Sequence, residues 1–287
     1  MALIPPFSID CVVALGVEAG DGTTSWIASG FLYLNVASRD GDQATGRAYL
    51  VTNRHVVIDH SDLVLRFNPQ GDELAPRDFP LALRREDGSQ LWTGHPDPTI
   101  DVAVIPVNFD LLQREAMQVD LFMSDAHAAP LEKIRNTGLT EGDGVFVLGF
   151  PMGMVGDVRN AVIVRRGAIA RIRDVLAGAS NRFLVDAFVF PGNSGGPVIT
   201  RPETGAIAGT PTQDKTYLIG IVTGYVPYRE PAVSSQTGQI RVVFEDNTGL
   251  AAVHPVDYVN ETIEEHMRNI PAKPTKAEEE ETIEKQS

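Results

Sequence analysis

Ser194 lies in the segment Gly192-Asn193-Ser194-Gly195-Gly196-Pro197, an order of residue types that meets the needs of acyl transfer within one turn. A hydroxyl nucleophile is flanked by residues of little bulk. Glycine at 192 lets the backbone turn so that the N–H groups of Gly192 and Ser194 converge on a developing oxyanion. A serine needs a general base, and the apolar run from Leu50 to Val57 carries His55 at its end, where an imidazole can be held at a rim. The other histidines, at 60, 95, 127, 254 and 266, lack such a setting. The third requirement is a carboxylate, and Asp101 stands directly before the apolar run Val102 to Ile105, with Asp97 as its nearby competitor. Burial beside His55 would fix the imidazole tautomer and stabilise the imidazolium formed during attack. Taken singly, each residue has an ordinary reading as a turn, a structural histidine or a strand cap. Their presence in one chain points to nucleophilic catalysis.

These residues need a scaffold of short strands. Runs rich in Val, Ile, Leu, Phe and Tyr recur at Cys11 to Val17, Trp26 to Leu34, Ala48 to Val57, Leu63 to Phe67 and Val102 to Val107. A second series covers Val145 to Phe150, Ala161 to Ile172, Phe183 to Phe190, Gly196 to Thr200 and Tyr217 to Tyr225. Many short strands separated by Gly, Asp, Asn and Pro indicate an all-β barrel or sandwich. Residues 109–140 lack alternation, carry a short helix near Leu111 to Met117 and read as a linker between two β units. Val256, Val259, Ile263 and Met267 recur at helical spacing and predict a C-terminal amphipathic helix over 255–268. The Lys- and Glu-rich stretch 271–287 reads as a disordered acidic tail. The loops 68–80, 201–215 and 227–249 read as surface excursions.

With 287 residues the chain can bury a substantial core, and its net charge of −14 opposes the phosphate neutralisation that nucleic-acid binding needs. Cys11 is the single cysteine, so no intramolecular disulfide can form. The first basic residue is Arg39, and the apolar run at 11–17 is too short for a membrane span or signal peptide. A cytoplasmic protein is expected, with no membrane contact, no nucleic-acid partner, no cofactor and no metal.

The His, Asp, Ser order resembles the chymotrypsin-fold serine peptidases, in particular the HtrA-like branch that lacks disulfides. Ser29-Gly30-Phe31, Gly142-Asp143-Gly144-Val145, Gly149-Phe150-Pro151, Asp186-Ala187, Leu218 to Ile221 and Gly249-Leu250 leading to Pro255-Val256-Asp257 carry the same resemblance. It implies a trypsin-like serine protease domain over 8–268, made of two six-stranded antiparallel β-barrels, the first at 8–108 and the second at 141–254. His55 and Asp101 would come from the first barrel and Ser194 from the second. Thr223 falls where the family places a hydroxyl near the catalytic aspartate, and Thr223, Gly224 and Tyr225 would pair with the backbone of a protein or peptide substrate. Phe188 would lie near the base of the primary specificity pocket, opposite Tyr225, favouring small or medium aliphatic residues. The pattern departs from the family in three places: Phe190 replaces a small polar residue, Tyr225 a glycine, and the 93 residues after Ser194 cannot hold the PDZ domain usual in the HtrA branch. Asn193 replaces the aspartate used by relatives that are activated through a new N-terminus, so no such processing is expected, which leaves room for a regulatory protein partner. Two other classes share these residues, a catalytically silent peptide-binding pseudoprotease and a nonproteolytic acyl hydrolase.

Overall fold

Residues 11–16, 28–34 and 49–53 are buried without a break, so the alternation that marks a half-solvated strand is missing there. The computed structural model gives the reason. It describes residues 3–71, 75–203, 205 and 210–270, and the expected acidic tail lies outside the described residues. Val13, Leu15, Leu32 and Leu50 face the interior of the first β unit, while Ala14, Phe31, Tyr33, Tyr49 and Val51 face Phe146, Leu148, Phe150 and Ile199 of the second. These strands are apolar on both sides because one side forms the wall between the units.

The first unit contains β1 (Val12–Glu18), β2 (Thr24–Asp40), β3 (Gln43–Thr52), β4 (Asp62–Pro69), β5 (Arg77–Ala82), β6 (Thr93–Gly94) and β7 (Ala103–Pro106). They pair in the order β5-β4-β1-β2-β3-β7-β6, with β8 (Met117–Gln118) on β4 and β9 (Phe122–Met123) parallel to β2. This sheet curls into a half-barrel, in keeping with the expected two-barrel fold, and among the described residues its ends do not join through strand pairing. The second unit contains β10 (Gly144–Gly149), β11 (Ile163–Arg171), β12 (Phe183–Asp186), β13 (Pro197–Thr200), β14 (Leu218–Val233) and β15 (Ile240–Pro255). It closes as a six-stranded barrel in the order β10-β11-β12-β15-β14-β13. A helix over Asp257–Asn269 follows and buries Val259 and Ile263 in the core shared by the two units.

Two expectations from the sequence change in detail. The strand read over Ala48 to Val57 stops at Thr52, and Arg54–Val57 form one helical turn that carries His55. The excursion at 227–249 is no loop: β14 and β15 continue as a two-stranded ribbon, paired from Pro227↔Asn247 to Val233↔Ile240. Inside the linker, Asn108 caps a helix over Phe109–Arg114 by accepting the Leu111 N–H at 3.1 Å, and a second helix spans Leu131–Thr137.

Candidate active site

The turn from Phe190 to Gly196 can be accounted for donor by donor. Phe190 N–H is taken by the Asn193 Oδ1 at 3.0 Å, and Asn193 N–H by the Phe190 carbonyl at 2.9 Å. Gly195 N–H goes to the Val222 carbonyl and Gly196 N–H to the Asn193 carbonyl, both at 2.9 Å. Pro191 has no N–H. Among the described residues no acceptor takes the N–H of Gly192 or of Ser194. The two backbone donors left over in this turn are therefore the kind of pair that an oxyanion requires, while the Asn193 Nδ2 is buried without a partner among the described residues. Gly192 has φ +100°, and a Cβ there would collide with the Phe150 carbonyl oxygen, so both conformation and space demand glycine.

The first unit braces this turn. Ser29 Oγ donates to the Gly192 carbonyl at 2.7 Å and accepts the Phe150 N–H at 2.9 Å, in a fully buried position. Ser29 N–H is donated to the Ser194 carbonyl at 2.9 Å, and Thr52 Oγ1 holds the Ser29 carbonyl at 2.9 Å.

His55 and Asp101 meet through both carboxylate oxygens. His55 Nδ1 lies 2.6 Å from Asp101 Oδ2, and the His55 backbone N–H is donated to Asp101 Oδ1 at 3.0 Å. Burial works against ionisation of Asp101, but the hydrogen bonds and charge of His55 outweigh it and hold the carboxyl below its ordinary value. A carboxylate at Nδ1 puts the proton on that nitrogen and leaves the Nε2 lone pair free, on a side chain that is half exposed. No hydrogen bond joins Ser194 Oγ to His55 Nε2 among the described residues, a common state of such pairs before substrate arrives. Asp97, the competing acid, instead accepts both the N–H and the hydroxyl of Thr99 at 2.8 Å and shapes the local turn.

His254, which the sequence did not single out, stands directly behind Asp101. Its Nε2 accepts the Asp101 backbone N–H at 3.0 Å, and its Nδ1 lies 2.7 Å from the Asn181 carbonyl. Asn53 Nδ2 holds the Asp101 carbonyl at 2.7 Å, so the backbone of this residue is gripped at both ends.

At the expected substrate edge, β14 pairs with β13 only as far as Ile221, and from Thr223 onward its outer edge has no partner strand among the described residues. The Thr223 hydroxyl is donated to the Ala252 carbonyl at 3.2 Å, a different use from the one the resemblance implied. Gly224 has open space where a side chain would stand. The Phe188 ring is half exposed and lies 3.3 Å from where a Gly249 Cβ would be. The Tyr225 hydroxyl is drawn away to Glu245 Oε1 at 2.9 Å, and Glu245 in turn pairs with Arg229 at 2.8 Å. A cavity of about 700 Å³ with Phe188, Arg165 and Asp186 in its wall contains no triad residue. No helix among the described residues is long and apolar enough to cross a membrane.

Residues 28–209, which include His55, Asp101 and Ser194, match the family model described as a trypsin-like peptidase domain. The chain is also similar to a probable periplasmic serine endoprotease, DegP-like, of Rhizobium meliloti (strain 1021), with 33% identity over 162 residues. That match covers 56% of this chain and 25% of the relative, so the chain spans about a quarter of the relative's length.

Proposed function

The chain belongs to the trypsin-like peptidase domain family, and from that premise we propose that it is a serine endopeptidase in which Ser194 is the nucleophile, His55 the general base and Asp101 the residue that orients His55. The observation that supports the reading is the donor account of the 190–196 turn, in which, among the described residues, the Gly192 and Ser194 backbone N–H groups remain unpaired, together with a His55 fixed by Asp101.

Ser194 Oγ attacks the scissile carbonyl carbon while its proton passes to His55 Nε2. The carbonyl oxygen takes the negative charge and is held by the N–H groups of Gly192 and Ser194. As the C–N bond breaks, the leaving amine takes the proton back from Nε2, and the acyl group remains as an ester on Ser194. Water then attacks this ester with His55 again as base, releasing the carboxylic acid and restoring the hydroxyl. Throughout, Asp101 stabilises the imidazolium without taking its proton. The substrate is a protein or peptide segment lying along the free edge of β14 at Thr223 to Tyr225. Phe188 brings no carboxylate to this neighbourhood, which favours aliphatic residues over Lys or Arg before the cut.

Ser194→Ala should remove peptide cleavage and fluorophosphonate labelling while the fold persists, with kcat lower by about 10⁴ to 10⁶. Cleavage by that variant at the wild-type rate would rule the assignment out. A wild type that took no fluorophosphonate and turned over no peptide would favour a silent binding module, and turnover of esters alone an acyl hydrolase.

A further inference from the structure

The strand that offers its edge to the substrate does not stop at Tyr225. β14 runs on to Val233 and returns as β15, so the proposed substrate edge continues directly into the ribbon over 227–247. A two-stranded ribbon with neither face covered is marginal in water. This one nevertheless exposes Tyr228, Val233, Ile240, Val242, Val243 and Phe244, each by half or more. Cross-strand pairs Tyr228↔Asp246, Glu230↔Phe244 and Ala232↔Val242 put Tyr228, Ala232, Val242 and Phe244 on one face, together with the carboxylates of Glu230 and Asp246. No cation stands among these six positions; the Arg229–Glu245 pair belongs to the other face. Contiguous exposed apolar residues with charged neighbours mark an interaction surface.

The outer edge of the ribbon is unsuited to further strand addition. The Val226 carbonyl accepts the Thr248 hydroxyl at 2.6 Å and so points toward β15, which turns the nitrogen of Pro227 to the outside. Pro231, four residues on in unbroken register, lies at the same edge. Neither has an N–H, so backbone pairing runs out after Tyr225 and only the side-chain face is left to make contact.

We infer that this face is an exosite for the substrate's own chain, engaging the segment about four to ten residues N-terminal to the scissile bond; the inference rests on the peptidase reading above. Gly195 N–H is donated to the Val222 carbonyl, so Ser194 sits at the Val222 end of the free edge and β14 runs away from it. Antiparallel pairing, the more stable arrangement, sends the N-terminal flank of the peptide along β14 toward Val233. The seven ribbon positions 227–233 span roughly 23 Å at about 3.3 Å each, the reach of an extended segment of that length. Its fitting chemistry is apolar side chains interspersed with Lys or Arg, matching Phe244, Val242 and Tyr228 on the one hand and Glu230 and Asp246 on the other.

The test uses one cleavable core in three peptides: three residues before the cut, the same core with ten residues before it rich in Leu, Val and Lys, and the same core extended only after the cut. Wild type should turn over the N-terminally extended peptide with kcat/KM about tenfold above the short one, a gain the other extension does not give. The double variant Val242→Ser, Phe244→Ser should lose that gain and keep short-peptide turnover, which also shows that it folds. With Ser194→Ala, fluorescence anisotropy should show the extended peptide bound more tightly, and the double variant added to it should abolish the difference. Equal rates for all three peptides, a gain only from the C-terminal extension, or a change of sedimenting mass in the double variant, which would mark a second copy as the occupant, would each overturn the exosite. If wild type cleaved no peptide and took no fluorophosphonate, the peptidase reading itself would fail, whereas short-peptide turnover without length dependence removes the exosite alone.

Discussion

The backbone N–H of Asp101 is donated to Nε2 of His254, 3.0 Å away and contributed by the other β unit. Because Nδ1 of the same ring faces the Asn181 carbonyl at 2.7 Å, the proton must reside on Nδ1 and the lone pair on Nε2. Burial pushes the His254 pKa below its ordinary value, so the ring stays in the neutral form this bridge needs.

His254→Leu would leave the Asp101 N–H without an acceptor, costing about 1–3 kcal/mol. We expect kcat to fall by about tenfold with little change in KM, because the lost contact positions the acid and does not touch substrate. His254→Gln, whose amide can accept from Asp101 and donate to Asn181, should restore most of it. Proton NMR of the His55 Nδ1–H should shift in the Leu variant and return in the Gln variant. An unshifted resonance would reduce His254 to packing.

Stability should decline as pH falls below about 6.5, the ordinary imidazole value. His127, His254 and His266 all have pKa values lowered, first of all by burial. Between the folded and unfolded pKa values the unfolded chain binds more protons, so acidification through that window favours unfolding. The urea midpoint should be lower at pH 5.5 than at pH 7.5, and His254→Gln should flatten the dependence. A midpoint that rises on acidification would contradict this.

Ser29→Ala removes the one hydroxyl that joins the Phe150 N–H to the Gly192 carbonyl. The oxyanion donors should become less well placed, with kcat down by about tenfold, less than the loss of a donor itself. The His55–Asp101 contacts do not involve Ser29 and should persist. Full activity would mean that the turn holds its shape without this brace.

Asn193→Asp places a carboxylate in a position that is 1% exposed, where it can still accept the Phe190 N–H. A buried charge without a cation is unfavourable, so the carboxyl should titrate above the usual range. Relative to wild type the variant should lose more stability at pH 8 than at pH 5, where protonation returns a neutral group. The opposite trend in the unfolding midpoints would indicate that a cation reaches the site.

The proposed triad residues Ser194, His55 and Asp101 could be picked out of the sequence because each is set in a short, local order of residue types. His254 was not, since its partner lies 153 positions away and nothing in Val253-His254-Pro255 announces it. The same holds for the Ser29 hydroxyl, whose partners stand 121 and 163 positions off. The ribbon was hidden by its own chemistry: prolines and charges at 227–231 read as a loop, although both prolines lie on an outer edge that has no partner strand among the described residues. The apolar run through Val57 likewise concealed the switch from strand to helical turn at Asn53.

The reach of these braces also orders events in time. Synthesis releases His55, Asp101 and Ser194 well before β15, yet the Asp101 backbone is held by the penultimate residue of that strand. Loop closure over so long a stretch is slow compared with local folding. On the peptidase reading, a nascent chain therefore carries Ser194, His55 and Asp101 while the aspartate still lacks its rear support, and full activity arrives only after the last barrel strand has docked.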